Sequence, residues 1–202
     1  ENLRILLPMV SAVSEVEEGL KLIHKAFTEV CDEGYQVVFP KVGAMLEMPA
    51  AIELAPKFAE SLDFLSVGTN DLIQYLLAVD RNNPRVAGLY QAYHPVVLRT
   101  LQSLNDALAN TDVELSICGE MAGDPAIAPL LIGMGYRNLS MSTASLLRVK
   151  WVLRRLSLAQ MQHLAAAAQK HYCALQCRAS VTQMLDELGV SEVVYPDTQI
   201  AI

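Results

Sequence analysis

A parallel α/β fold, either an open doubly wound sheet or a (β/α)8 barrel, is what the sequence predicts. Three observations lead there. Short apolar runs alternate with longer amphipathic stretches, about five times and without a sequence repeat. The short runs are nearly continuous in apolar residues, as in strands covered on both faces. Polar residues also collect at the C-terminal ends of four consecutive runs, where both folds keep their chemistry. With 52% of its 202 residues hydrophobic, the chain has ample material for a large core.

The elements follow in order. "LRILLPMV" (3–10) reads as a strand. The helix after it spans 14–34, with Ser14 as N-cap, Glu17 three residues on, and Gly34 as the stop. "VGAMLEM" (42–48) is a strand, and 49–61 a helix with Pro49 in its first turn. "DFLSVGT" (63–69) is a strand leading into a helix over 70–79. A polar loop occupies 80–95 and a helix runs from about 96 to 110. The strand "VELSICG" (113–119) precedes a helix over 124–135, where "GMGYRN" marks the exit. "NLSMS" (138–142) is the last strand and 144–156 the last core helix. Residues 157–202 read as a helical tail.

Composition narrows the function. Net charge is −7, and the only dense basic cluster, Arg148 to Arg155, is expected on the solvated face of a helix. That argues against a nucleic-acid binder. No apolar run is long enough for a membrane span, and no secretory signal precedes the first strand, so a cytoplasmic protein is expected. Four cysteines in a chain this long fit a reducing compartment. Cys173 and Cys177 lie four apart near His171, but no second Cys/His pair completes a tetrahedral metal site. The chain begins at Glu1 directly on a strand, as a piece of a longer polypeptide would.

The strand-end residues carry the candidate chemistry. The second strand ends at Glu47, the third runs into Thr69, Asn70 and Asp71, the fourth ends at Cys118 with Gly119 and Glu120 after it, and the fifth ends at Ser140 and Ser142. Helix capping accounts for Asn70 or Asp71 taken alone. It does not account for a glutamate inside "AMLEMPA". Glu47 and Asp71 are hard anionic oxygens suited to Mg²⁺, or alternatively to acid–base work by two carboxyls. Arg81 fits a phosphate partner as well as it fits a surface ion pair. Cys118 is open to four roles: core residue, metal ligand, nucleophile or acid. His94 reads as a loop histidine. No Gly-rich phosphate cradle and no Ser/His/Asp arrangement is present.

Taken together, "GAMLEMPAA", "DFLSVGTNDLIQYLLAVDRNN", "SICGEMAGDP" and "GYRNLSMS" resemble the C-terminal PEP-binding domain of enzyme I of the bacterial phosphotransferase system and its relatives, pyruvate phosphate dikinase and PEP synthase. The resemblance covers about 1–157, and its wording is closest to the nitrogen-regulatory paralogues. It implies a TIM-type barrel, present here as about five C-terminal βα units (1–157) followed by a helical extension (158–202). It also implies a PEP–protein phosphotransferase that binds PEP and Mg²⁺, forms a homodimer, and releases pyruvate as it phosphorylates a histidine on a separate domain. From there the phosphoryl passes to an HPr-like carrier (NPr in the nitrogen branch). By motif, Glu47 and Asp71 become the Mg²⁺ ligands, and Asn70 and Arg81 contact the substrate. Cys118 becomes the acid that protonates C3 of enolpyruvate, with Gly119 and Glu120 lining its wall. The first three barrel strands, their arginines and the phosphorylated histidine are expected outside these residues, since His24, His94, His163 and His171 sit in no such motif. A Mg²⁺-dependent lyase of the PEP/pyruvate barrel type and a non-catalytic regulatory module are the alternatives.

Overall fold

Strand β2, Lys41–Leu46, shows how the sheet is built: Val42, Ala44 and Leu46 are fully buried on one face, and Gly43, Met45 and the following Glu47 lie on the other. The computed structural model describes residues 3–194. Around β2 stand β1 (Arg4–Leu7), β3 (Phe64–Gly68), β4 (Glu114–Cys118) and β5 (Asn138–Leu139), every neighbouring pair parallel. Their order in the sheet is β1-β2-β3-β4-β5. That order separates the two folds left open by the sequence. A doubly wound sheet reverses direction at a switch point, whereas sequential parallel strands with right-handed crossovers put all helices on one face. The five strands are therefore an arc of a TIM-type barrel.

The outer face carries the core. Val42, Ala44, Leu46, Leu65, Val67 and Ile117 pack with residues of α2 (Pro49–Phe58) and α4 (Pro95–Leu108), among them Phe58, Leu98, Leu101 and Leu104. Each fully buried side chain of this size contributes about 1.5–3 kcal/mol. The inner face mixes apolar and polar residues, with Met45 and Phe64 beside Ser66, Ser116 and Cys118. Arg4 on β1 reaches across it to Glu114 on β4 at 3.0 Å, passing over the Phe64 ring. In a flat sheet three strand spacings would separate β1 from β4 by roughly 14 Å. The curl toward the inner face brings the two ends within reach. Gly43 sits under this curl, because a Cβ there would run into the Phe64 backbone carbonyl.

Three local expectations need correction. Helix α1 (Val13–Asp32) is capped at Ala12, and Ser14 lies inside it. The Glu15 carboxylate bends back and accepts the N–H groups of Ser11 and Ala12 at 2.6 and 3.0 Å, which satisfies the first turn one step earlier. The helix expected over 124–135 is shorter, α6 (Ala128–Gly133), and a separate turn of helix, α5 (Glu120–Gly123), precedes it. Asp124 precedes Pro125, a position that disfavours helix, and its carboxylate takes the N–H groups of Ala126 and Ile127. The last strand keeps two residues of the five expected, although Ser140 still donates to the Ile117 carbonyl at 2.8 Å. Gly34 and Gly135, at φ +92° and +113°, end their helices as their positions foretold.

Helices α3 (Thr69–Leu77) and α7 (Thr143–Leu153) complete the barrel part. Val149 and Val152 of α7 are buried, while Arg148 and Lys150 on α7, and Arg154 and Arg155 just past its end, are exposed. The tail consists of α8 (Leu158–Ala168), α9 (Ala174–Glu187) and α10 (Ser191–Val194); the expectation for 195–202 lies outside the described residues. Leu164, Ala165, Cys177, Val181 and Leu185 join the same core. Arg148 holds the end of α10 through the carbonyls of Val193 and Val194 at 3.0 and 3.2 Å. No helix among the described residues is long and apolar enough to cross a membrane.

The α6–α8 contact depends on Gly133, whose added Cβ would collide with the Met161 carbonyl. Urea unfolding of the full-length protein should show Gly133→Ala destabilised by about 1–3 kcal/mol, with Gly88→Ala, which meets nothing within 4 Å, unchanged. Equal stability of both variants would contradict this packing.

Candidate active site

The inner-face positions of β2, β3 and β4 end at Glu47, Gly68 and Cys118. Register pairs Leu46 with Val67 and Gly68 with Cys118, so the three ends lie side by side. Glu47 is 7% exposed, and its Oε2 lies directly over Gly68, 2.8 Å from where a Cβ would be. Its other oxygen, Oε1, accepts the Met9 N–H at 2.8 Å. Met9 has φ +53°, a left-handed conformation unusual for a side chain of its size. The turn after β1 thus holds a strained residue whose amide is aimed at the buried carboxylate.

The turns after β3 and β4 are docked on one another. Thr69 Oγ1 donates to the Cys118 carbonyl at 2.7 Å, and Asn70 Oδ1 accepts the Glu120 N–H at 3.0 Å. Gly119 between them has φ +94°, and a Cβ there would stand 2.5 Å from Thr69 Oγ1 and 2.8 Å from Asn70 Oδ1. The capping explanation for Asn70 and Asp71 fails, since Gly68 is the N-cap of α3 and no side chain caps it. Asn70 instead orients the neighbouring turn.

From that junction a cleft of about 510 Å³ opens, lined by Asn70, Arg81, Asn82, Ala87, Tyr90 and Glu120. The Arg81 guanidinium stands 3.8 Å from Asp71 Oδ1, with both side chains about one-third exposed, and its amide donates to Gln74 Oε1 at 3.3 Å. Tyr90, absent from the sequence-based candidates, donates its hydroxyl to the Asn70 carbonyl at 3.2 Å. Burial raises its phenol above the ordinary value, the Glu120 charge adds to this, and Arg81 opposes it. Glu47 and Cys118 do not line this cleft; they adjoin it through the Gly68–Thr69 turn and Gly119. A second cavity of about 500 Å³ lies on the far side of Gly119 and Glu120, toward Ser142 and Arg148.

Cys118 is half-buried, with Sγ 3.3 Å from the Val67 carbonyl and 3.6 Å from the Met45 sulfur. Burial pushes its thiol up, the Ser66 hydroxyl pulls against this, and the Glu47 charge pushes it further up. The group therefore keeps its proton at neutral pH. Glu47 and Asp71 both offer oxygen donors, at the end of β2 and at the start of α3 after β3. Among the described residues no cluster of three or more His, Cys, Asp or Glu could hold a metal ion. A two-carboxylate donor set fits Mg²⁺, which completes its octahedron with water and substrate oxygens. Elsewhere, Cys177 is a core residue donating to the Ala168 carbonyl, Cys173 is exposed, and His94 caps α4 by accepting the Val96 N–H.

Residues 1–158 match the family model for the PEP-binding domain of PEP-utilising enzymes. A phosphoenolpyruvate-dependent phosphotransferase system protein of Escherichia coli is 43% identical over 194 residues, 96% of this chain and 26% of its own length. A phosphoenolpyruvate-protein phosphotransferase of Cupriavidus necator is 50% identical over 153 residues, 73% of this chain and 25% of its own. The chain thus spans about a quarter of these relatives. Among solved structures, a citrate lyase from Burkholderia xenovorans superposes with a TM-score of 0.53 at 17% identity, covering 95% of this chain and 67% of that one, a likeness of fold alone.

The raised Cys118 thiol has a direct readout. Between pH 7 and 9, iodoacetamide should modify the half-buried Cys118 more slowly than exposed Cys31 and Cys173. Equal mass-spectrometric rates at the three cysteines would contradict the shift.

Proposed function

This chain belongs to the PEP-utilising enzymes, as their PEP-binding domain, and we propose that it forms the PEP site of a phosphoenolpyruvate-protein phosphotransferase. The observation that carries this is the docking of the β3 and β4 turns through Gly119. It fixes Asn70 against Glu120 beside the Asp71–Arg81 ion pair, with the Glu47 carboxylate and the protonated Cys118 thiol at adjoining strand ends. Arg81 pairs with the PEP phosphate, and Asn70 fixes the substrate against the Gly119–Glu120 wall. Glu47 and Asp71 hold Mg²⁺, which when bound offsets negative charge on substrate oxygens.

The chemistry asks one further thing of the chain. When the phosphoryl leaves for a histidine nitrogen, the P–O bond breaks and the organic product is the enolate of pyruvate. A proton must reach C3 from one face. Cys118 supplies it as a neutral thiol and regains a proton from solvent. Glu47, close enough to help keep the thiol protonated, works in the same direction.

The acceptor histidine lies on a separate domain and passes the phosphoryl to an HPr-like carrier. A cytoplasmic homodimer of the nitrogen-regulatory branch is part of the same proposal. So is a division at residue 157 into barrel part and helical extension, which the family match ending at residue 158 supports.

Calorimetric titration of the full-length protein with PEP and Mg²⁺ tests the site. Glu47→Gln or Asp71→Asn should abolish Mg²⁺-dependent binding, whereas Cys118→Ala should leave it intact and lower pyruvate formation by about 100-fold or more. Normal turnover by Cys118→Ala would remove the thiol from its role. Undiminished binding by both carboxylate variants would remove the metal site.

A further inference from the structure

The segment that carries Arg81 runs from Ala78 to His94 with no regular structure beyond one 3-10 turn, Ala87–Leu89. Loops this long without structure of their own are uncommon in compact domains unless they serve a site. Many of its hydrogen bonds are internal. Asn82 N–H goes to Asp80, Arg85 N–H to Asn83, and Leu89 N–H to the Val86 carbonyl. These turns shape the loop, and Tyr90, Ala92 and Tyr93 pack against the core. Beside the cleft, two side-chain hydrogen bonds tie the loop to α3. At the near end the Arg81 amide is held by Gln74 of α3. At the far end the part-buried Tyr90 reaches back 20 residues to the Asn70 carbonyl, in the first turn of the same helix. The loop is therefore clamped to α3 at both ends, and Tyr90 stands with Asn70, Arg81 and Glu120 in the wall of the cleft.

The clamp matters because of the ion pair it leaves unclosed. Arg81 stands 3.8 Å from Asp71, well outside the 2.7–2.9 Å of a charge-assisted hydrogen bond. A free loop would let the two close on each other, and a closed pair would take the cation from an anionic ligand. We propose that Tyr90 is a positioning residue for anion recognition: its bond to the Asn70 carbonyl seats the loop so that Arg81 faces the cleft instead of closing on Asp71. This rests on the cleft being the PEP site, with Arg81 on the phosphate.

The test compares Tyr90→Phe, Arg81→Ala and the double variant in the full-length protein, with PEP and oxalate as ligands, each with Mg²⁺. Tyr90→Phe should melt within a few degrees of the native protein and bind PEP about five- to tenfold more weakly. It should bind oxalate, which lacks a phosphate, as the native protein does. Adding Tyr90→Phe to Arg81→Ala should cost no further PEP affinity, because the tyrosine acts through the arginine. Native-like PEP affinity in Tyr90→Phe, equal losses for PEP and oxalate, or losses that multiply in the double variant would each overturn the role of Tyr90. If Arg81→Ala itself binds PEP normally, the cleft is not the phosphate site and both proposals fall together.

Discussion

Gly119 carries the contact on which the site depends. Its φ of +94° turns the chain so that the Cys118 carbonyl meets Thr69 and the Glu120 amide meets Asn70. Any side chain there would strain the backbone and also enter the space of the Thr69 hydroxyl and the Asn70 amide. With the two turns apart, Asn70 would lose its partner, α3 would lose the anchor of its first turn, and Asp71 and Arg81 would lose their fixed relation to Cys118. One missing Cβ thus links backbone geometry to the approach of the β3 and β4 turns.

The same logic runs through the inner face. Gly43, Gly68 and Gly119 lie on three adjacent strands or their ends, and at each one a Cβ would meet a neighbour that shapes the arc or the site. Gly43 admits the Phe64 backbone, Gly68 admits the Glu47 carboxylate, and Gly119 admits the Asn70 amide. Hydrophobic burial on the outer face holds the strands. Small residues on the inner face decide how closely their ends approach.

The strands and their rim were legible because two periods differ: buried strands are continuous apolar runs, and helices repeat every 3.6 residues. Glu47 stood out because helix capping does not account for a glutamate amid "AMLEMPA". The choice between open sheet and barrel was not legible in the pattern, because strand order is a tertiary property. Nor was the cap of α1, where a carboxylate at Glu15 displaced the hydroxyl at Ser14. Met9 was invisible because its backbone amide, not its side chain, touches Glu47. Tyr90 was hidden by distance, since its partner lies 20 residues back and no periodicity joins a loop tyrosine to a helix carbonyl.

The central claim is that a Mg²⁺-bound PEP lies against the Cys118 thiol, and its most direct measurement is site-resolved protection from alkylation. The full-length protein, treated with iodoacetamide alone, with PEP, with Mg²⁺, and with both, should show slowed modification of Cys118 only with both, while exposed Cys31 and Cys173 react unchanged. Cys118 modified at one rate under all four conditions, in protein that binds PEP, would place the substrate elsewhere and contradict the account.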